Sequence, residues 1–195
     1  RLAKEDGGIP LISTLLSSIL MEEGEYPQKD FLKKEPQWDH RKECDQACYR
    51  CLQRYGNQPY HGLLDWRLGL SYLSILRDAR FACGLDGRFE GASLEDWPVL
   101  ARKYAEQMLR FVEPGRGEVK EIHGVVAFRL DKTKPIWGLV VHPLWDYTSL
   151  HGIIGKAYDE LDQPGAHIEF ISTFDLSRRQ VQVRERILDE MRKRR

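Results

Sequence analysis

The chain has 195 residues, 30 basic and 30 acidic side chains, and a formal net charge of zero. With 42% hydrophobic and 31% charged residues it reads as globular rather than disordered, and its neutral balance excludes a global positive field as the means of holding nucleic acid. Four cysteines are too few for a disulfide scaffold, and no apolar run approaches the roughly 18 residues of a membrane span.

The chain starts with Arg1 rather than methionine, so we expect a fragment, a processed piece or the ordered part of a longer protein. The length suits one domain with a sizeable core or two small lobes. No signal peptide is visible, and thiols clustered at metal-ligand spacing favour a reducing compartment, so the expected location is the cytoplasm.

In IPLISTLLSSILMEEGE, Leu11, Ile12, Leu15, Leu16, Ile19 and Leu20 fall at helical spacing, with Pro10 in the first turn and an end expected near Gly24. Residues 25–43 are polar and locally basic. A helix over about 43–55 follows, with Gly56 as its C-cap. It carries Cys44, Cys48 and Cys51 at i, i+4 and i+7, which would put the three thiols on one helix face. In so polar a stretch, flanked by Asp45, Gln46, Arg50, Gln53 and Arg54, a bound cation gives these thiols a reason to converge. Zinc is favoured over an iron–sulfur cluster. A closed structural site needs a fourth ligand, for which His61, just past the Gly56 break, ranks ahead of Cys83 and then His40.

LLDWRLGLSYLSILRDARF reads as a long amphipathic helix burying Leu64, Leu68, Leu73, Ile75, Leu76 and Ala79. Residues 84–94 read as a linker. WPVLARKYAEQMLRFV is a helix starting near Pro98, ended by PGRGE. HGVVAFRL and IWGLVVHPL are strands around the DKTKP loop, SLHGIIGKAYDEL a helix, AHIEFISTF a strand, and SRRQVQVRERILDEMRKRR a closing helix. The expected class is α+β: a helical zinc-binding lobe over residues 1–83, then a small α/β lobe over 95–195 in α-β-β-α-β-α order.

The run C-x3-C-x2-C-L-x2-Y-x-N-Q-x2-H-x2-L-D-x-R, from Cys44 through Leu52, Tyr55, Asn57, Gln58, His61, Leu64 and Asp65 to Arg67, resembles the MrfA-type zinc-binding helicase-associated domain. Such domains lie C-terminal to DEAD/DEAH-box superfamily 2 helicases and occur in subunits of anti-phage systems such as DISARM. The resemblance covers about residues 40–80. It implies zinc held by Cys44, Cys48 and Cys51, and a module working beside a DNA helicase core in the same polypeptide or a partner subunit. Family members often carry four cysteines in the cluster; only three are local here, which lends weight to His61.

The motor itself is not in this chain. GIIGKAY at 152–158 has neither the glycine spacing of a phosphate loop nor the hydroxyl after Lys156, and there is no DEAD or DEAH box. Two basic groups are candidates for phosphate contact. Lys33, Lys34, Arg41, Lys42, Arg50 and Arg54, together with Lys29, are interleaved with Trp38, Tyr49, Tyr55 and Tyr60, which suit base stacking. Arg178 and Arg179 open a C-terminal stretch of net charge +5. The expected role is therefore a non-catalytic, zinc-stabilised accessory module contacting DNA. The alternatives are a protein adaptor that touches no nucleic acid, or a nuclease using Glu118 and Lys120 as an E-x-K pair. His142 and Asp146 in VVHPLWD are a further acid–base candidate, with a packed strand-end turn as the simpler reading.

Overall fold

The computed structural model describes residues 5–6, 9–20, 34–35 and 38–194. It has the expected α+β class and divides into two compact units. The first runs to Ala82 and takes back Glu90–Leu94; the second comprises Cys83–Phe89 and Glu95 onward. The stretch read as a linker is thus shared between the units, and Leu85, Ser93 and Leu94 are buried.

In the first unit, Glu5–Asp6 pairs with Ile9–Pro10 and Lys34–Glu35 with Trp38–Asp39, both antiparallel. Helix α1 spans Leu11–Leu20, α2 is the single turn His40–Glu43, and α3 spans Trp66–Arg77. A 3₁₀ segment covers Tyr55–Leu63. The α3 face turned inward is Trp66, Arg67, Leu70, Ser71 and Ser74, not the expected Leu64 to Ala79 set; Leu76 is 52% exposed. The apolar count misjudged this face because its most buried positions include an arginine, whose two terminal guanidinium nitrogens meet backbone carbonyls. The core here is small: Cys44, Cys51, Trp66 and Leu70, with Ile19, Leu20, Ala47, Cys48 and Leu52 against them.

The second unit is built on a four-stranded mixed sheet in the order β1-β2-β3-β4: Glu118–Ile122, Val125–Arg129, Ile136–Val141 and His167–Ser172. The first three strands form an antiparallel meander, and β4 lies parallel to β3. Strand β1 was not expected. Its letters EVKE are those of an edge strand in which only Ile122 is buried, and His123 and Gly124, both at positive φ, close a two-residue hairpin into β2. Strand β3 is buried along its whole length, as a strand with a parallel neighbour commonly is.

Helix α4, Trp97–Leu109, buries Trp97, Leu100, Ala101, Tyr104, Ala105 and Met108, a period near 3.6. Helix α5, Gly152–Leu161, makes the crossover that parallel pairing of β3 and β4 requires. The expected C-terminal helix is two: α6, Thr173–Arg178, capped by the Ser172 hydroxyl accepting from the Asp175 amide at 3.1 Å, and α7, Gln180–Lys193. Arg179, at φ −128° and ψ 36°, breaks them apart. No helix among the described residues is long and apolar enough to cross a membrane.

Gly138 sits opposite Phe128 in the β2–β3 ladder. A Cβ there would lie 2.7 Å from the Phe128 ring and 2.8 Å from Ile171 Cδ1, in a core where neither side chain is exposed. We therefore expect Gly138→Ala to destabilise the second unit by about 1–3 kcal/mol through overpacking, seen as an earlier urea or thermal transition.

Candidate metal centre

Four ligand atoms converge in the first unit: His40 Nε2 and the sulfurs of Cys44, Cys48 and Cys51 all lie within 4.8 Å of one another. Cys44 Sγ is 4.0 Å and Cys48 Sγ 3.9 Å from Cys51 Sγ, and Cys48 Sγ is 3.6 Å from His40 Nε2. All four cysteines of the chain are free thiols. A group of three thiols and one imidazole at this spacing could hold a metal ion.

The backbone that delivers these atoms differs from the expected 43–55 helix. Asp39 caps α2, its Oδ1 accepting from the Arg41 amide at 3.2 Å. The one helical turn brings His40 and Cys44, four residues apart, onto a common face. The helix then stops: Cys44 is extended, at φ −131° and ψ 95°. Cys48 and Cys51 come instead from a tight turn, in which the Cys48 carbonyl accepts from the amides of Cys51 and Gln53, both at 3.0 Å. The Cys48 amide points at Cys51 Sγ, 3.2 Å away. The four groups thus arrive as two pairs, one from a helix turn and one from a reverse turn.

The N-terminus of α3 explains why the helix does not continue. Arg67, 5% exposed, spreads its guanidinium over the loop, donating to the carbonyls of Cys44 at 2.9 Å, Asp45 at 2.7 Å and Arg41 at 2.6 Å. Trp66 Nε1 donates to the same Cys44 carbonyl at 3.0 Å, and the Trp66 amide to Gln46 at 2.9 Å. These carbonyls are claimed by α3 rather than by amides four residues further along. Asp65 caps α3, accepting from the Leu68 amide at 3.0 Å, and the Arg67 guanidinium lies 4.2 Å from the centroid of the Trp66 ring. Trp66 and Arg67, at the start of α3 capped by Asp65, thus clamp the cysteine loop.

His61, ranked first as fourth ligand, is placed elsewhere. Its Nε2 lies 3.0 Å from the Arg54 carbonyl and 2.8 Å from Asn57 Oδ1, two acceptors, so that nitrogen carries the proton and braces the 3₁₀ segment. Asn57 continues the brace, donating to the Leu52 carbonyl at 3.0 Å and accepting from the Arg54 amide at 2.7 Å. Cys83, ranked second, belongs to the second unit, where it is buried and its carbonyl accepts from Trp145 Nε1 at 2.8 Å. His40, ranked third, is the residue that joins the thiols. Its place four residues before Cys44 was the available signal, but an i,i+4 pair gains weight only once α2 is known to be a turn of helix.

Electrostatics suit a site awaiting a positive charge. Burial pushes the Cys44 thiol well above its ordinary pKa, reinforced by the neighbouring Cys51. Burial, and then the nearby Arg67 charge, hold His40 below its ordinary value, so the imidazole is neutral and able to coordinate. A cation at the centre would reverse the penalty on the thiolates.

The other candidates disperse. Lys33 lies outside the described residues, and Lys34 pairs through its backbone in a two-residue ladder. Arg41 Nε is 3.9 Å from Asp39 Oδ1. Lys42, Arg50 and Arg54 are exposed, as are Tyr49, Tyr55 and Tyr60. In the second unit, Arg178 lies over the Phe174 ring at 4.3 Å and Arg179 is 3.5 Å from Asp175. Much of the C-terminal charge faces carboxylates: Arg186 to Glu169, Arg192 to Asp189, Lys193 to Glu190.

Glu118 forms an ion pair with Arg129 across the β1–β2 ladder and lies 3.7 Å from Lys120, whose Nζ sits 5.3 Å from the centroid of the Trp137 ring. The central strands β2 and β3 carry no carboxylate. His142 is buried, its Nδ1 accepting from the Leu144 amide at 3.2 Å, and burial pushes its pKa down to about 4. Asp146 accepts from Thr148 and Ser149. His142 and Asp146 therefore serve separate turns.

Two outcomes follow. Metal analysis of the purified chain should find the bound metal lost in Cys48→Ser and His40→Ala but kept in His61→Ala. Arg67→Lys keeps the charge but not the three-carbonyl fork, and should weaken metal affinity about 10–100-fold in a chelator competition titration.

No family model, no curated protein and no solved structure matches the chain.

Proposed function

We propose that this chain is a non-catalytic, zinc-stabilised accessory module of a DNA helicase or helicase-like defence assembly, contacting nucleic acid and docking to a motor it does not itself contain. The carrying observation is the geometry of the four ligand atoms. Zinc–sulfur bonds of about 2.3 Å and a zinc–nitrogen bond of about 2.0 Å, set tetrahedrally, demand sulfur–sulfur separations of about 3.8 Å and a sulfur–nitrogen separation of about 3.5 Å. Two sulfur–sulfur separations, 3.9 and 4.0 Å, and the 3.6 Å from Cys48 Sγ to the imidazole come within a few tenths of an ångström of that set, and no two of the four atoms are more than 4.8 Å apart.

Charge points the same way. A divalent ion with three thiolates and one neutral imidazole carries a net −1, and the buried Arg67 supplies +1 beside it. All four tetrahedral positions are taken by protein, so zinc here would be structural, with no open position for substrate or water. Its binding energy would act as folding energy for a unit whose apolar core is small.

The link to a helicase rests on the resemblance, and the way its residues are used supports it. Cys44, Cys48 and Cys51 supply the sulfurs, Asn57 and His61 brace the following segment, and Asp65 and Arg67 clamp the loop from α3. A motif that reads as scattered letters is one mechanical unit.

Three measurements test this reading. Zinc should bind one per chain, with apparent affinity rising with pH because the thiols must give up their protons. The chain alone should show no ATP hydrolysis. It should bind DNA in low salt and release it as salt rises. Failure to bind any nucleic acid, with zinc in place, would favour the adaptor that recognises protein only.

A further inference from the structure

The outer side of the metal loop carries a feature that the zinc site does not use. From Gln46 to Leu64 the chain has no acidic residue, in a sequence that averages one acid in six or seven positions. Within this stretch Tyr49 is 61%, Tyr55 86% and Tyr60 61% exposed, and Arg50 and Arg54 are exposed between them. An exposed Tyr is ordinary; three within twelve residues, alongside two arginines and no acidic residue in the same stretch, are not.

Contacts join Tyr49, Arg54 and His61 within this stretch. Arg54 Nη1 donates to the Tyr49 carbonyl at 3.1 Å, His61 Nε2 reaches the Arg54 carbonyl at 3.0 Å, and the Tyr49 and His61 rings meet edge to face at 5.5 Å. Tyr55 and Tyr60 lie on either side of a kink at Asn57 (φ −118°, ψ 20°), which is held by the Asn57 bridge to Leu52 and followed by Pro59. The turn bearing Tyr49 and Arg50 lies between Cys48 and Cys51, so the metal centre holds one edge of the face in position.

We propose that this face binds single-stranded nucleic acid, with unpaired bases stacking on Tyr49, Tyr55 and Tyr60 and phosphates lying against Arg50 and Arg54. The proposal rests on the nucleic-acid contact of the module described above and narrows it to one strand state. Aromatic faces interleaved with cations match a polyanion that exposes π faces. A duplex hides its base faces in the stack and offers these tyrosines nothing to cover. Rigid tyrosines on a braced segment also lose little freedom on binding.

The test uses the zinc-loaded 195-residue chain and fluorescence anisotropy with labelled oligothymidylate and oligouridylate of about 20 nucleotides, longer than a typical single-strand site, and a duplex of equal length. The single strands should bind more tightly than the duplex. Tyr55→Ala should weaken single-strand binding about tenfold, whereas Tyr55→Phe should leave it unchanged. Arg50→Ala should lower the slope of log affinity against log salt by about 0.7. Unchanged metal content in each variant shows that the loop is intact. Equal affinity for duplex and single strand, indifferent to Tyr55→Ala and Tyr60→Ala, would overturn the stacking face while leaving the broader nucleic-acid contact standing. No binding to any of the three probes would overturn both.

Discussion

The first unit depends on four side-chain atoms drawn to one point. Cys44 and Cys51 are two of the four buried members of its small core, so residues that would hold an ion also fill its interior. Three thiols in mutual contact are a poor hydrophobic core: burial raises the cost of ionising them, and neutral sulfurs give each other only weak hydrogen bonds. A cation turns the same geometry into the strongest interaction available to the unit. The clamp of Trp66 and Arg67 then has a clear purpose, because it presets the loop backbone before any ligand arrives.

The second unit is held by different means. Its centre is the fully buried strand β3, antiparallel to β2 and parallel to the half-buried edge strand β4, with Phe128 packed over Gly138 and helix α4 covering the sheet through Trp97, Leu100, Tyr104 and Met108. Groups that might have suggested chemistry are spent on structure. Glu118 and Lys120 belong to a cross-strand ion pair and a stack on Trp137, and His142 is a neutral, buried member of a turn. Order of elements alone does not make an active site; the central strands lack the carboxylates that a cation-dependent nuclease would need there.

Some of the failures of sequence reading share a cause. Periodicity finds a buried face when burial is apolar, and here it is partly polar. Arg67 is nearly inaccessible because its donors meet three carbonyls, and His40 because it faces sulfur and the Trp66 ring. The helix expected over residues 43–55 is absent for a related reason: its carbonyls find partners on α3, far along the chain. Strand β1 escaped notice because an edge strand shows one half of its surface to water and so carries the letters of a loop.

The sequence by itself determined the α+β class, the span of most helices and central strands, and the three sulfurs, because these follow from local spacing and from the rarity of clustered thiols in polar surroundings. Only the tertiary structure decided that His40 rather than His61 completes the group. His61 was the nearer choice for a chain folding back after a helix, but it is engaged by Arg54 and Asn57. Which imidazole meets the thiols depends on where one helical turn ends and which distant donors take up the carbonyls beyond it. That competition for hydrogen bonds between segments more than twenty residues apart leaves no periodic trace in the amino-acid order.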